Sequence, residues 1–244
     1  MSVAVDVRLR LLARRVAAST FVRPVMGRMP RRGVRRLAPA PAHSGGDLDI
    51  DRTLDRSDGL RPSSIDQLVT RAWRAYRSRV VLLIDRSGSM RGGAVARAAV
   101  AAAAISLATR GRADCGVIAF SRDRIVLQPM SRNPDPFQLV DRILTLRGHG
   151  TTDLAGALEE AGRMVRTGSG TGDGIVVLLS DCIATEGSDP MRSLSGIAHL
   201  HVITPSDEPD SITVARSLTG PTGGKVRMAT SVRDIAPAVF DILA

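Results

Sequence analysis

The sequence predicts an α/β fold, a doubly wound and mostly parallel central sheet flanked by helices. Runs of β-branched and aliphatic residues recur along the chain, and such runs are typical of parallel strands that are buried on both faces. Between them lie stretches long enough to cross back over a sheet as helices. We therefore expect buried strands at Val80–Ile84, Gly116–Phe120, Ile175–Leu179 and His199–Thr204.

The segments between and after these strands are predicted to be helices. They are Gly93–Arg110, Pro136–Leu146, Leu154–Thr167, Pro190–Ala198 and a closing helix at Ser231–Leu243. Two segments fit the alternation less well. Ile125–Met130 is expected to be a short edge strand, and Gln67–Ser78 alternates well enough for an edge strand, with a helix as the alternative.

Charge is distributed unevenly over the 244 residues. The net charge is +10, but residues 1–45 hold ten arginines and one acid, a charge of +9, and the remaining 24 basic and 23 acidic residues give +1. The arginine-rich part also contains several prolines. We expect a basic, flexible extension over residues 1–46, with a basic amphipathic helix at Val3–Ser19, and a globular domain over residues 47–244.

Several classes of protein are excluded by composition and motif. Two cysteines cannot make a disulfide scaffold or a Cys-rich zinc site. The sequence contains no run of 18 apolar residues, so no membrane-spanning helix is predicted. The acids of Asp47–Asp58 superficially resemble a calcium-binding loop, but Arg52 stands where such a loop requires glycine. The segment is therefore predicted to be a short helix capped by acids. Gly220–Val226 lacks the spacing of a phosphate-binding loop. With no G-x-S-x-G elbow and no convincing Ser-His-Asp set, no catalytic residue is predicted.

One segment places oxygen ligands directly after a buried strand. In VVLLIDRSGSM, Asp85 ends the strand, and Ser87 and Ser89 follow at alternate positions. Ligands of a doubly wound sheet bind outside the carboxyl ends of its strands. A carboxylate and two hydroxyls form a hard, all-oxygen set that suits Mg²⁺ or Mn²⁺, with water completing an octahedron.

Two further loops bring small oxygen ligands towards the same edge of the predicted sheet. GHGTTDLAGAL (residues 148–158) holds Thr151, Thr152 and Asp153 where a helix begins, and Asp181 follows the end of another buried strand. We interpret Asp153 as a charge near the positive end of its helix dipole rather than as an acid that supports a metal.

The order D-x-S-x-S, then G-T-T-D-L, then L-L-S-D resembles the metal-ion-dependent adhesion site of von Willebrand factor A (VWA) domains, which are Rossmann-like. The resemblance covers about residues 47–244 and includes ADCGVIAFS as the family's second strand. It implies that Ser87 and Ser89 bind the metal directly, and that Asp85 and Asp181 bind directly or through water. Thr152 aligns with the threonine ligand, and Thr151 is the alternative if the loop is shifted by one residue.

The resemblance also implies a function. A carboxylate from a partner protein would fill the sixth position of the metal. DLDIDRTLDRS, before the domain, resembles the bacterial intracellular branch, which includes the CoxE-like proteins and the C-terminal domain of the D subunit of magnesium chelatase. Members commonly work beside a MoxR- or chelatase-type AAA+ ATPase. We expect a cytoplasmic, non-catalytic adaptor that uses Mg²⁺, or Mn²⁺, in metal insertion or enzyme maturation.

Two alternatives remain. The chain could be a non-catalytic subunit of a magnesium or cobalt chelatase, although chelatase D subunits carry an additional ATPase-like domain that the short extension cannot supply. The extension could instead bind nucleic acid or an anionic surface. Nucleic acid is disfavoured because Phe21 is the only aromatic residue in the extension that could stack on bases.

Five other residues, two of them cysteines, are considered as candidates for the site. His149 and Cys182 stand where the family usually has glycine, which alters the rim of the site without removing a ligand. His199 and His201 share one face of a strand, but no third ligand at suitable spacing completes a metal site. Cys182 and the second cysteine, Cys115, are predicted to be reduced, buried thiols.

Overall fold

The computed structural model describes residues 35–42, 45–59, 61–75, 77–87, 93–146, 150–168, 170 and 172–243. The predicted helix Val3–Ser19, Ser89 and His149 lie outside these residues. The chain divides into two compact units, which we describe separately. The larger unit contains Ser78–Ser169 and Asp173–Ala244, and the smaller contains Arg31–Arg77 and Gly170–Gly172.

The larger unit is built on a six-stranded sheet in the order β6-β5-β4-β7-β8-β9. Five strands are parallel, and β6, at one edge, is antiparallel to β5. The strand order reverses at β4, the first strand of the sheet along the chain, which lies between β5 and β7. The strands are β4 (Arg79–Asp85), β5 (Asp114–Phe120), β6 (Arg124–Ser131), β7 (Gly174–Leu179), β8 (His199–Thr204) and β9 (Val226–Met228).

Helices cover both faces of this sheet. They are α2 (Gly93–Thr109), α3 (Pro136–Leu144), α4 (Leu154–Thr167), α5 (Pro209–Thr219) and α6 (Val232–Leu243). Val80, Leu82 and Ile84 of β4 point into the core shared with α2, α3 and α6. Val81 and Leu83 point to the opposite face, against α4 and α5. Since successive side chains of a strand alternate between faces, a continuous apolar strand needs both layers.

The predicted α/β class and doubly wound topology are therefore confirmed, with differences in single elements. The helix predicted at Pro190–Ala198 is wrong: only Pro190–Ser193 is helical, as a 3₁₀ turn, and Gly196 has a φ of +83°, which helical backbone does not allow. Helix α5 and strand β9 were not predicted. The edge strand expected at Ile125–Met130 is confirmed as β6.

The smaller unit contains a three-stranded antiparallel sheet in the order β1-β3-β2. Its elements are β1 (Arg35–Pro41), β2 (Asp47–Leu48), α1 (Ile50–Arg56) and β3 (Val69–Ala75). Asp49 caps α1 by accepting a hydrogen bond from the Arg52 amide, which confirms the predicted acid-capped helix. Val69–Ala75 is a strand, as expected, but it is central in its sheet, so its predicted edge position is wrong.

Strand β1 lies within the segment that the sequence assigns to the flexible extension. It pairs with β3 from Arg35↔Ala75 to Pro41↔Val69. Pro39 and Pro41 are compatible with a strand because β1 is an edge strand of its sheet, where a residue without an N–H is tolerated. The sheet therefore includes strands from both sides of the domain boundary expected after residue 46.

Candidate functional site

Asp85, the last residue of β4, occupies a buried position at the carboxyl edge of the sheet. Its side chain is 4% exposed. One carboxylate oxygen accepts a hydrogen bond from the Ser87 amide at 2.8 Å, and the other accepts one from the Ser180 hydroxyl at 2.6 Å. Ser87 is also buried. The structure thus places Asp85 and Ser87 together, as the D-x-S spacing predicts.

The loop after β7 supplies the second acid of the predicted site. The Ser180 hydroxyl, besides donating to Asp85, accepts a hydrogen bond from the Cys182 amide at 2.9 Å. Asp181 is half-buried, and its carboxylate accepts from the Ile183 amide at 3.1 Å. Cys182 has a φ of +63°, a conformation that favours glycine. This explains in physical terms why glycine is expected after Asp181.

The loop before α4 is hydrogen-bonded to the segments that follow β5 and β7. The Thr152 amide donates to the Thr185 hydroxyl, beyond the end of β7, at 2.8 Å. The Asp153 amide donates to the Ser121 carbonyl, just beyond the end of β5, at 3.1 Å. The loop is therefore held by the segments that follow β5 and β7, the two strands on either side of β4.

The two threonines of this loop differ in environment. Thr152 is 4% exposed, whereas Thr151 is exposed and its hydroxyl contacts the Glu186 carboxylate. This difference in burial supports Thr152 rather than Thr151 as the candidate ligand.

Asp153 has a structural role in the fold. Its carboxylate accepts a hydrogen bond from the Gly156 amide at 3.0 Å, which caps the first turn of α4. The other carboxylate oxygen pairs with Arg124. These contacts agree with the interpretation of Asp153 as an early-helix charge.

The residues at this edge suit a hard divalent cation. Burial raises the pKa of Asp85 above its ordinary value, and the nearby Asp181 carboxylate adds to the rise, although hydrogen bonds from Ser180 and Ser87 oppose it. Among the described residues, no cationic side chain forms an ion pair with Asp85. In the same part of the chain, no three His, Cys, Asp or Glu residues are grouped to hold a metal. A cation here would depend on hydroxyl oxygens as well as carboxylates, a ligand set that suits Mg²⁺.

A cavity of about 160 Å³ opens beside Asp85. Its lining residues come from the ends of three strands and the start of α2: Asp85, Ala94, Arg97, Leu179, Ser180, Asp181, Pro205 and Ser206. Sequence reasoning missed Arg97, Pro205 and Ser206. Ser206 could have been found, because Pro205–Ser206 follows a buried strand as Ser180–Asp181 does. Arg97 carried no such signal.

The other candidate ligands make contacts within the fold. His201 accepts a hydrogen bond from the Lys225 amide at 2.9 Å, and burial lowers its pKa to about 4. The Nδ1 of His199 lies 3.0 Å from the Thr222 carbonyl oxygen. Cys115 and Cys182 are buried free thiols, and burial raises the pKa of each to about 12.

None of the helices that the structure describes is long and apolar enough to cross a membrane. The comparison with curated proteins finds no match. Residues 12–237 match the family model described as "VWA domain containing CoxE-like protein".

Solved structures of VWA domains share the fold. A von Willebrand factor type A protein from Catenulispora acidiphila is 21% identical, with a TM-score of 0.57 over 72% of this chain and 44% of that one. Manganese-loaded TRAP protein from Plasmodium vivax is 17% identical, with a TM-score of 0.55 over 69% and 74% of the two chains.

Proximal thread matrix protein 1 from the mussel byssus was solved with zinc in its metal-ion-dependent adhesion site (MIDAS) motif. It is 15% identical, with a TM-score of 0.52 over 69% of this chain and 47% of that one. The chain therefore spans less than half the length of the Catenulispora and mussel proteins. Since the family model covers most of the chain and the fold agrees with these structures, the chain belongs to the CoxE-like family of VWA domain proteins.

Proposed function

We propose that this chain is a non-catalytic, metal-dependent protein-interaction module. Asp85, Ser87, Ser89, Thr152 and Asp181 would hold the cation. Ser89 lies outside the described residues and enters on the D-x-S-x-S motif alone. The observation that carries the proposal is the buried Asp85 carboxylate, which has no ion-pair partner among the described residues and has Thr152 and Asp181 at the same edge of the sheet.

Mg²⁺ is the cation we propose, with Mn²⁺ as a substitute. The VWA structures that share this fold include one loaded with manganese and one with zinc in its MIDAS motif, which supports a divalent cation. Carboxylate and hydroxyl oxygens without histidine or thiolate ligands favour Mg²⁺ or Mn²⁺ over zinc. A bound cation would offset the charge of the buried Asp85 carboxylate.

A partner protein would complete the site. Five protein ligands leave one octahedral position open, and a carboxylate is the natural anionic ligand for a hard cation. The partner would therefore present an Asp or Glu side chain at the carboxyl edge of the sheet.

Within this family, we propose that the setting is a cytoplasmic machine that inserts a metal or matures an enzyme. A MoxR- or chelatase-type AAA+ ATPase would supply the work, and this chain would connect the ATPase to its client. The alternative is a non-catalytic subunit of a magnesium or cobalt chelatase. Both assignments rest on the CoxE-like family match, and both use the same site.

A pull-down from native lysate tests the proposal. The wild-type chain is used as bait with Mg²⁺ or with EDTA, and is compared with Asp85→Asn under both conditions. We expect an AAA+ ATPase to be retained by the wild-type chain only when Mg²⁺ is present, and to be lost from Asp85→Asn.

Asp207→Asn is the matched control, because Asp207 is exposed, lies beyond the end of β8 and its substitution removes the same charge. This variant should retain the ATPase like the wild type. Retention of the same proteins by all three baits, with and without Mg²⁺, would contradict the proposed function.

The basic extension supports a second candidate function. Its charge of +9 over residues 1–45 favours contact with phosphates or an anionic surface. Salt-sensitive binding to duplex DNA that disappears when residues 1–34, which precede β1, are deleted would support this function. Unchanged DNA binding after the deletion would exclude the extension as its cause.

A further inference from the structure

Arg97 projects from α2 onto the wall of the cavity beside Asp85. Of the eight lining residues, Arg97 is the one cation, and it shares the cavity with the two acids Asp85 and Asp181. Its guanidinium donates one hydrogen bond to the Thr230 carbonyl at 3.1 Å. Its Nε is buried and has no hydrogen-bond partner.

The guanidinium is not used as a counter-ion by the acids of the site. Among the described contacts, Arg97 forms no ion pair with Asp85 or Asp181. The Asp85 carboxylate is oriented instead towards the Ser87 amide and the Ser180 hydroxyl. A half-buried cation with unused donors therefore lines the same cavity as Asp85 and Asp181, two of the proposed metal ligands.

The lining of the cavity defines the chemistry of a ligand. A guanidinium has five N–H donors and matches the geometry of a carboxylate. Ser206 also lines the cavity, and its hydroxyl oxygen accepts a hydrogen bond from the Glu208 amide at 3.1 Å, which leaves its O–H as a donor. A volume of about 160 Å³ accommodates the carboxyl end of an acidic side chain, because it is several times the roughly 10–15 Å³ that a single water molecule needs.

We propose that this cavity binds a second acidic side chain of the partner, with Arg97 as its charge and hydrogen-bond partner. The protein would then recognise an acidic peptide segment with two neighbouring carboxylates, one on the metal and one against Arg97. This inference rests on the proposed function, because the first carboxylate is the one that completes the metal coordination.

Short peptides test the inference without knowledge of the partner. The probes are the blocked dipeptides acetyl-Glu-Glu-amide, acetyl-Glu-Gln-amide and acetyl-Gln-Glu-amide, titrated into the full chain and followed by NMR chemical shifts. With Mg²⁺ present, we expect the diacid to bind the wild-type chain about five-fold more tightly than either monoacid, as one partly exposed charge pair warrants.

Arg97→Gln should abolish this preference without weakening Mg²⁺ binding, measured by calorimetry, because Arg97 is not a metal ligand and removing its positive charge from the same cavity can only favour a cation. Arg122→Gln is the matched control: Arg122 is an exposed arginine that pairs with Glu186, and its removal should leave the preference intact. Arg97→Lys keeps the charge with fewer donors and should retain part of the preference. If Arg97→Gln does not fold, Arg97→Lys takes its place, and equal binding of the diacid and the monoacids by the wild-type chain still overturns the inference.

The outcomes separate the two proposals. Equal Mg²⁺-dependent binding of diacid and monoacids, or an unchanged preference in Arg97→Gln, overturns the inference and leaves the metal site standing. If Mg²⁺ does not bind, or if no peptide binds in a Mg²⁺-dependent manner, the proposed function fails and the inference fails with it.

Discussion

The two ends of the parallel sheet both carry residues of the types that bind metals, but they use them differently. At the amino end of β8, the Nδ1 atoms of His199 and His201 both contact backbone atoms of the segment that leads into β9. At the carboxyl ends of β4 and β7, Asp85 and Asp181 line a cavity. Residue type alone therefore does not identify a site. The side chains at both ends already make hydrogen bonds, so the cavity in front of Asp85 and Asp181 is what distinguishes the two ends.

The largest expected effect comes from substituting Asp85 at the carboxyl end of the sheet, because this removes a proposed metal ligand. Mg²⁺ at about 100 times its dissociation constant should stabilise the wild-type chain by about 2.7 kcal/mol, a rise in Tm of roughly 5–10 °C for a chain of this size. Asp85→Asn should lose this rise completely, because the cation loses its buried anionic ligand. Thermal unfolding followed by circular dichroism, with and without Mg²⁺, measures both.

Without Mg²⁺, Asp85→Asn should be at least as stable as the wild type. The amide oxygen can still accept from the Ser87 amide, the amide nitrogen can donate to the Ser180 hydroxyl oxygen in place of the hydrogen bond that Asp85 receives from it, and the buried charge is gone. A strongly destabilised variant would show that Asp85 is needed for folding rather than for a cation. Asp207→Asn, the exposed control, should keep the full Mg²⁺ response.

The next effect distinguishes two neighbouring threonines at the carboxyl edge. Thr152→Val should weaken Mg²⁺ binding by at least about 10-fold, since even residues behind metal ligands are worth 10–100-fold. Thr151→Val should leave Mg²⁺ affinity nearly unchanged, because Thr151 is exposed and contacts Glu186. Isothermal titration calorimetry on the two variants measures the difference. The reverse order of affinities would assign the ligand to Thr151.

At the amino end, His201 should affect stability and not metal binding. Because its folded pKa is lowered to about 4 from an unfolded value of 6.5, neutral His201 contributes stability that is present above pH 6.5 and lost as the pH falls towards 4. His201→Asn, whose side-chain oxygen can accept from the Lys225 amide, should reduce this loss by up to about 3 kcal/mol.

Urea unfolding of wild type and His201→Asn at pH 7 and pH 4.5 provides the measurement. Equal losses of free energy of unfolding in both chains would show that His201 is not the group responsible. Mg²⁺ affinity at neutral pH should be the same in both, and a weaker affinity in the variant would contradict the contrast between the two ends.

The smallest effect concerns the two thiols, Cys115 near the amino end of β5 and Cys182 beside the carboxyl edge. Both are buried, and burial raises both pKa values to about 12, so little reactive thiolate is present. Titration with Ellman's reagent should detect neither thiol in the native chain and both in denaturant. Rapid labelling of Cys182 in the native chain would mean that the loop after β7 opens.

Local patterns were enough to predict most of the larger unit. Its buried strands are continuous apolar runs, and its ligand loops follow directly from strand ends, so Asp85, Ser87 and Asp181 could be placed from sequence alone. Helix α5 was missed because its apolar residues, such as Ala215 and Leu218, are few and its first half is polar.

Long-range contacts were not predictable in the same way. Strand β1 exists because it pairs with β3 about thirty residues later, and nothing local in a segment rich in arginine and proline signals that partner. Arg97 was missed for a similar reason. Its place on the cavity wall depends on how α2 packs against the strand ends, which a single arginine in an alanine-rich helix does not reveal.

Binding of a divalent cation beside Asp85 is tested most directly by anomalous diffraction from crystals of the full chain grown with Mn²⁺. We expect one strong manganese peak at the carboxyl ends of β4 and β7. Its ligand oxygens should come from Ser87 and Ser89 of the D-x-S-x-S loop and from Thr152, at roughly 2.0–2.3 Å. Asp85→Asn crystals grown in the same way should lack the peak. A wild-type structure without manganese at this edge, or with manganese bound only elsewhere, would contradict the proposed site.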